Sequence, residues 1–90
     1  MKIACDPRKR ARTLEERGLD FEDARTVFAG RSATVEDGRF DYGEIRYSTY
    51  GHLRGRLVNV VWTPRPGSRR IISMRYCHEK EVEAFKAHLD

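Results

Sequence analysis

The chain has 90 residues, 39% hydrophobic and 36% charged, with a formal net charge of +4 and a pI near 9.4. That length allows one domain over residues 1–90. The composition excludes a disordered tail and a membrane-embedded protein. The longest apolar stretch, Leu57–Trp62, is interrupted by Asn59, so no segment is expected to cross a bilayer. The opening MKIACDPRKR has no apolar run of the kind a secretory signal needs. Two cysteines, Cys5 and Cys77, make no disulfide framework, which points to a reducing cytoplasm.

In chain order, Lys2–Cys5 reads as a short opening strand. Asp6-Pro7 then starts a helix, with Asp as the cap and Pro at the first helical position. It runs to about Arg17 and ends at Gly18. Its apolar face is thin, only Ala11 and Leu14, and Arg8, Lys9, Arg10 and Arg12 dominate its first half. Asp20 starts a second helix in which Phe21, Ala24, Val27 and Phe28 form an apolar stripe; Gly30 ends it. Ala33–Glu36 is a short strand, followed by a polar loop marked by Asp37-Gly38 and Tyr42-Gly43. Glu44–Tyr50 alternates as a strand, and Gly51–Gly55 is a hairpin turn. Arg56–Thr63 carries the near-continuous apolar run of a strand covered on both faces. Pro64–Ser68 is a second turn, Arg69–Tyr76 a further strand, and His78 to about Leu89 a closing helix with Val82, Phe85 and Leu89 on one face. The order β-α-α-β-β-β-β-α predicts an α+β fold, a small antiparallel sheet with its helices packed on one face.

The charge is segregated. Residues 1–12 carry a local +4 and residues 13–44 a local −5, whereas residues 45–78 hold seven arginines and no acid. The 14 arginines outnumber the four lysines, and a guanidinium holds a phosphate with two parallel hydrogen bonds where an ammonium offers a point charge. A nucleic acid is the leading partner, unless the acidic segment packs against this stretch and absorbs its field. Strand alternation places Arg70, Ile72, Met74 and Tyr76 on one face and Arg69, Ile71, Ser73 and Arg75 on the other. The first is the better core face. Arg69 and Arg75 then share the open face about 20 Å apart, the span of several nucleotides. The competing reading pairs Arg75 with Glu79 or Glu81.

Several segments together resemble the BrnT family of bacterial type II toxins. They are the opening MKIACDPRKR, Gly18–Ala24, Val27-Phe28, Asp41–Arg46 and Arg70–Arg75, in the family's order and spacing from Lys2 to about Phe85. The family is similar in fold to RelE-type ribonucleases. The resemblance implies an RNA endonuclease that cleaves without metal or cofactor, neutralised by a BrnA-type antitoxin. The ribbon-helix-helix-like domain of that antitoxin would bind operator DNA, in a toxin–antitoxin heterotetramer. Three positions depart from the family: Cys5 stands where Trp is usual, Glu16-Arg17 where Lys-His is usual, and Phe85 where Tyr is frequent. The last two remove proton carriers, so the alternative is a weakened homologue acting as an antitoxin-bound corepressor.

Cleavage of that kind needs a base for the ribose 2′-OH and preorganised positive charge for the phosphorane. The candidates are Arg75, Glu79, Arg69 and Arg70 for catalysis, and Lys9, Arg10, Arg65 and Arg17 for phosphate binding. His78, His52, Tyr47 and Tyr76 are further proton carriers. His52 reads rather as a solvated loop residue, His78 as a surface cap and Trp62 as core. Cys77-His78 with Cys5 or His52 matches no zinc spacing.

Overall fold

The computed structural model describes residues 1–38 and 43–89, Leu89 by its backbone alone. The expected turn at Tyr42, the Asp41-Tyr42 part of the resemblance and the place of Leu89 on the last helix's apolar face lie outside the described residues. The elements are β1 (Ile3–Cys5), α1 (Pro7–Arg17), a 3-10 turn (Phe21–Asp23) leading into α2 (Ala24–Ala29), β2 (Ser32–Glu36), β3 (Tyr47–Leu53), β4 (Arg56–Arg65), β5 (Ser68–Tyr76) and α3 (Glu79–Leu89). The α+β class and the element order are those expected.

The helix boundaries follow from their caps. The Asp6 carboxylate accepts from the Arg8 backbone N–H at 2.9 Å, Pro7 fills the position whose N–H has no helical acceptor, and Gly18 closes α1 at φ +69°. Asp20 caps the next segment by accepting from the Glu22 N–H at 3.0 Å. No residue of α1 is buried and Leu14 is 48% exposed, as its thin apolar face predicts. Leu19, Phe21, Ala24 and Val27 are fully buried and carry the helical side of the core.

The sheet order is β1-β5-β4-β3-β2. β2 to β5 form an antiparallel meander, whereas β1 pairs in parallel with β5, Ile3 opposite Arg69 and Cys5 opposite Ile71. The sheet is therefore mixed, because the chain passes through α1, α2 and the whole meander before β5 returns beside β1. β3 extends to Leu53, so His52 is a strand residue and the first hairpin turns at Arg54-Gly55, both with positive φ (50° and 79°). That is the two-residue turn whose twist suits a hairpin. β4 continues through Arg65, and the second turn is Pro66-Gly67 with Gly67 at φ +73°.

The helices do not share one face. An added Cβ on Gly51 would lie 2.9 Å from Val27 Cγ1, so this side of β3 is pressed on α2. The next residue, His52, points the other way and meets Phe85 of α3, ring centroids 5.5 Å apart. α3 thus covers the face opposite α2, and α1 runs along the outer edge of β5. There the Arg17 guanidinium donates to the Met74 carbonyl at 2.8 Å, partnering an edge that the three-residue β1 is too short to cover.

On the α2 side, Leu53, Val58, Val60, Trp62, Ile71 and Met74 form the sheet's share of the core. Ile71 and Met74 are three residues apart, yet both are buried. Plain alternation forbids that; a β-bulge opposite Val61–Trp62 allows it, because Ser73 pairs with Val61 and Ile71 with Trp62, leaving Ile72 unopposed. Trp62 is core, as expected, and its indole N–H donates to Thr49 Oγ1 at 2.8 Å.

Gly51→Ala should destabilise the fold by about 1–3 kcal/mol through overpacking against Val27. Thr49→Val, which leaves the buried indole N–H of Trp62 without its acceptor, should cost about 1–3 kcal/mol. Urea denaturation of both variants checks these values; a loss below 0.5 kcal/mol (about the scatter of surface substitutions) would contradict either assignment.

Candidate functional site

The bulge at Ile72 decides which basic residues stand together. Arg69 lies on the core side with Ile71, its guanidinium over the rings of Phe28 (4.5 Å) and Trp62 (4.6 Å). Arg70, opposite Thr63, shares the other face with Ser73 and Arg75. The expected pairing of Arg69 with Arg75 on one open face is therefore not formed. The expectation assumed unbroken alternation, and the extra residue inverts the parity of everything before it.

Five further arginines meet carboxylates. Arg10 holds Asp20 with two bonds (2.7 and 3.2 Å), Arg25 pairs with Glu22, and Arg54 reaches Asp23 at 3.3 Å. Glu44 accepts from Arg65 at 3.1 Å and Arg46 at 3.2 Å, and both contacts pull its carboxyl below the ordinary range. The acidic segment thus absorbs much of the field of the arginine-rich stretch. Arg56 instead stacks on Tyr76 at 3.7 Å. Among the described residues, Lys2, Arg8, Lys9, Arg12, Arg17, Arg70, Lys80 and Lys86 have neither a carboxylate partner nor a ring contact. Arg10 and Arg65, named as phosphate binders, are thus held by acids, whereas Lys9 stands free.

Arg75 is held differently. Its two terminal nitrogens donate to the two oxygens of Glu81, each at 2.7 Å, a fork-to-fork pair that joins β5 to α3. The pair pulls the Glu81 carboxyl down to about 2, with help from the His78 backbone N–H at 3.1 Å, and raises the already high Arg75 pKa further. Glu81, not Glu79, is the acid on Arg75. Glu79 is exposed at the first position of α3. The imidazole Nε2 of His78 lies 3.3 Å from Glu81, at the exposed surface.

In register with Arg75 across the sheet are Asn59 and then Tyr50. Asn59 is 5% exposed, and its Oδ1 has no hydrogen-bond partner among the described residues. The apolar pattern of β4 gave no signal of this beyond the break it makes in Leu57–Trp62. Tyr50 lines a cavity of about 290 Å³ beneath α3, with Ala33, Val35 and Phe85. Tyr47, of opposite parity, packs on Trp62 at 5.0 Å. The thiols are shielded: burial pushes Cys77 up to about 11 and raises Cys5. Among the described residues no three His, Cys, Asp or Glu side chains converge as a metal site, and no described helix is long and apolar enough to cross a membrane.

The small α+β domain with its mixed sheet thus brings Arg70, Ser73 and Arg75 to one face of β5, beside Lys9, Arg12 and Arg17 of α1. Residues 5–81 match the profile of the BrnT ribonuclease toxins of type II toxin–antitoxin systems. The chain belongs to that family, a ribonuclease toxin whose system supplies an antitoxin partner. No curated protein matches the chain.

The depressed Glu81 carboxyl makes the Arg75–Glu81 pair a stabilising contact above the unfolded carboxyl pKa, one that is lost as pH falls from about 4.5 through about 2. Arg75 is 40% exposed, so solvent screening reduces its worth to ~1 kcal/mol. Urea midpoints at pH 2 to 7 should show Glu81→Gln less stable than the parent at pH 6 and the gap closing toward pH 2. A gap that stays constant with pH would refute the linkage.

Proposed function

We propose that the chain is an RNA endonuclease that works without a metal, using Arg75 and Arg70 on the outer face of β5, and that a BrnA-type antitoxin neutralises it in the cytoplasm. The observation that carries this reading is the common face of Arg70, Ser73 and Arg75 produced by the bulge. In the proposed reaction the ribose 2′-oxygen attacks the adjacent phosphorus, and the bond from phosphorus to the 5′-oxygen breaks. The products are a 2′,3′-cyclic phosphate and a 5′-hydroxyl, the leaving 5′-oxygen taking its proton from water. Glu79, exposed at the start of α3, accepts the 2′-OH proton. Glu81 is unsuited to that task, because a carboxyl held near 2 is too weak a base at neutral pH. The guanidinium of Arg75 stabilises the charge that grows on the phosphorane. Its fork already accommodates two oxygens of a planar anion, and a phosphate has to compete with Glu81 for it. Arg69, stacked on the opposite face, takes no part.

A second reading has its own observation. The positions where the family's His and Tyr are usual serve structure here. Arg17 is bonded to the Met74 carbonyl, and Phe85 is buried beside His52. A chain with binding intact and proton transfer weakened would act as an antitoxin-bound corepressor, reaching operator DNA through the antitoxin in a heterotetramer.

Inducible expression without an antitoxin, with sequencing of RNA 5′ ends, separates the two. The first reading expects growth arrest and new 5′-hydroxyl ends, with Arg75→Ala lowering cleavage about 10²-fold. Unchanged cleavage on losing Arg75, Arg70 and Glu79 together would sink the site assignment. No arrest and no new ends, with antitoxin binding retained, selects the corepressor.

A further inference from the structure

Of the cations without an ion pair among the described residues, Lys9, Arg12 and Arg17 line one groove. Lys9 and Arg12, one helical turn apart on α1, face β5 across a groove of about 220 Å³. Thr13 and Arg17 continue the helical wall, and Ile72 and Ser73 form the strand wall. Glu16 borders the groove as well, so three cations share it with one acid. Neither Lys9 nor Arg12 has an ion pair among the described residues, although carboxylates take up the arginines at 10, 25, 46, 54, 65 and 75.

The groove is fixed by two features. The bulge pushes Ile72 out of the ladder, and the Arg17 bond to the Met74 carbonyl anchors the end of α1 to the same strand. Its walls are therefore set before any ligand arrives. Ser73 belongs both to this groove and to the face of Arg70 and Arg75. It lies two residues, about 7 Å by strand rise, from Arg75.

We propose that the groove between α1 and the β5 bulge is a phosphate subsite for single-stranded RNA. It holds a phosphodiester next to the one engaged at Arg75. Lys9 and Arg12 supply the charge, and the hydroxyls of Thr13 and Ser73 donate to the non-bridging oxygens. A cleft of this size takes one backbone, not a duplex, and Glu16 limits it to a single anion. The assignment rests on the ribonuclease reading and extends it to residues outside the reacting centre, which set where the strand sits.

The test uses the full chain and a fluorescent single-stranded oligoribonucleotide with 2′-O-methyl groups, which binds without being cleaved. Anisotropy titrations over a KCl series give log K against log salt. Lys9→Ala/Arg12→Ala should bind about tenfold more weakly at 100 mM KCl, with a slope smaller by about 0.7, the value for one phosphate of a single strand. Arg8→Ala/Lys86→Ala removes equal charge outside the groove and should keep the parent slope. Ser73→Val fills the groove without changing charge and should also lose slope. Thermal midpoints confirm that each variant is folded. If the groove pair weakens binding no more than the control pair, the subsite is overturned while the ribonuclease reading stands. If the parent chain binds no RNA at all, the ribonuclease reading fails and the subsite with it. Equal or tighter binding of duplex DNA, lost in the same variants, overturns the single-strand assignment.

Discussion

One backbone irregularity governs the molecule's chemistry. Ile71 and Met74 must both be buried beneath α2 and the 3-10 turn, and their separation of three is incompatible with the two-residue period of a strand. The bulge at Ile72 resolves the conflict. It also turns Arg70 away from the core and Arg69 toward it, and moves Ile72 to the flank where α1 lies. Core packing thus decides which arginines are free to meet an anion. Removing the bulge would bury Arg70 or expose Ile71, and either change costs more than the ladder hydrogen bond it would restore.

The second organising fact is how the charge is shared out. The local excess of acid in residues 13–44 is spent on arginines of α1 and of the meander: Asp20 on Arg10, Asp23 on Arg54, Glu44 on Arg65. Individually such exposed pairs stabilise little. Collectively they take up Arg10, Arg54 and Arg65 and leave Lys9 and Arg12 unpaired where α1 meets β5. A net charge of +4 would give weak, undirected attraction if it were spread evenly. Concentrated beside Arg70 and Ser73, it becomes directional.

The local features of the fold were legible in the sequence. Asp6-Pro7 and Gly18 marked α1 because capping is decided within a few residues. The apolar run through Leu57–Trp62 marked β4 as the strand covered on both faces. Three kinds of fact were not legible. The parity of β5 failed because burial of Ile71 and Met74 is a tertiary demand. The side of the sheet taken by α3 depends on a long-range match between His52 and Phe85. The parallel pairing of β1 depends on where a distant strand returns. At the candidate site, Arg75, Arg70 and Lys9 were named from residue type and resemblance. The fate of Arg10, Arg65 and Arg69 was not, since whether an arginine is paired, stacked or free is set by neighbours 10 to 41 positions away.

The Arg75–Glu81 pair bears directly on how such a site could work. A lone guanidinium on a sheet face samples many rotamers, and ordering it on binding costs conformational entropy. Here the carboxylate holds the fork in the geometry a phosphate requires, and desolvation and ordering are already settled in the folded chain. Exchange of one anion for another then replaces like with like. Glu81 belongs to α3, so a phosphate that takes its place breaks the side-chain contact between β5 and the start of that helix, which Glu79 opens and His78 precedes. On the proposed reaction, substrate binding at Arg75 and the loss of its contact with Glu81 are one event. Beside Arg75 in the sheet lies the buried Asn59 Oδ1, which has no hydrogen-bond partner among the described residues.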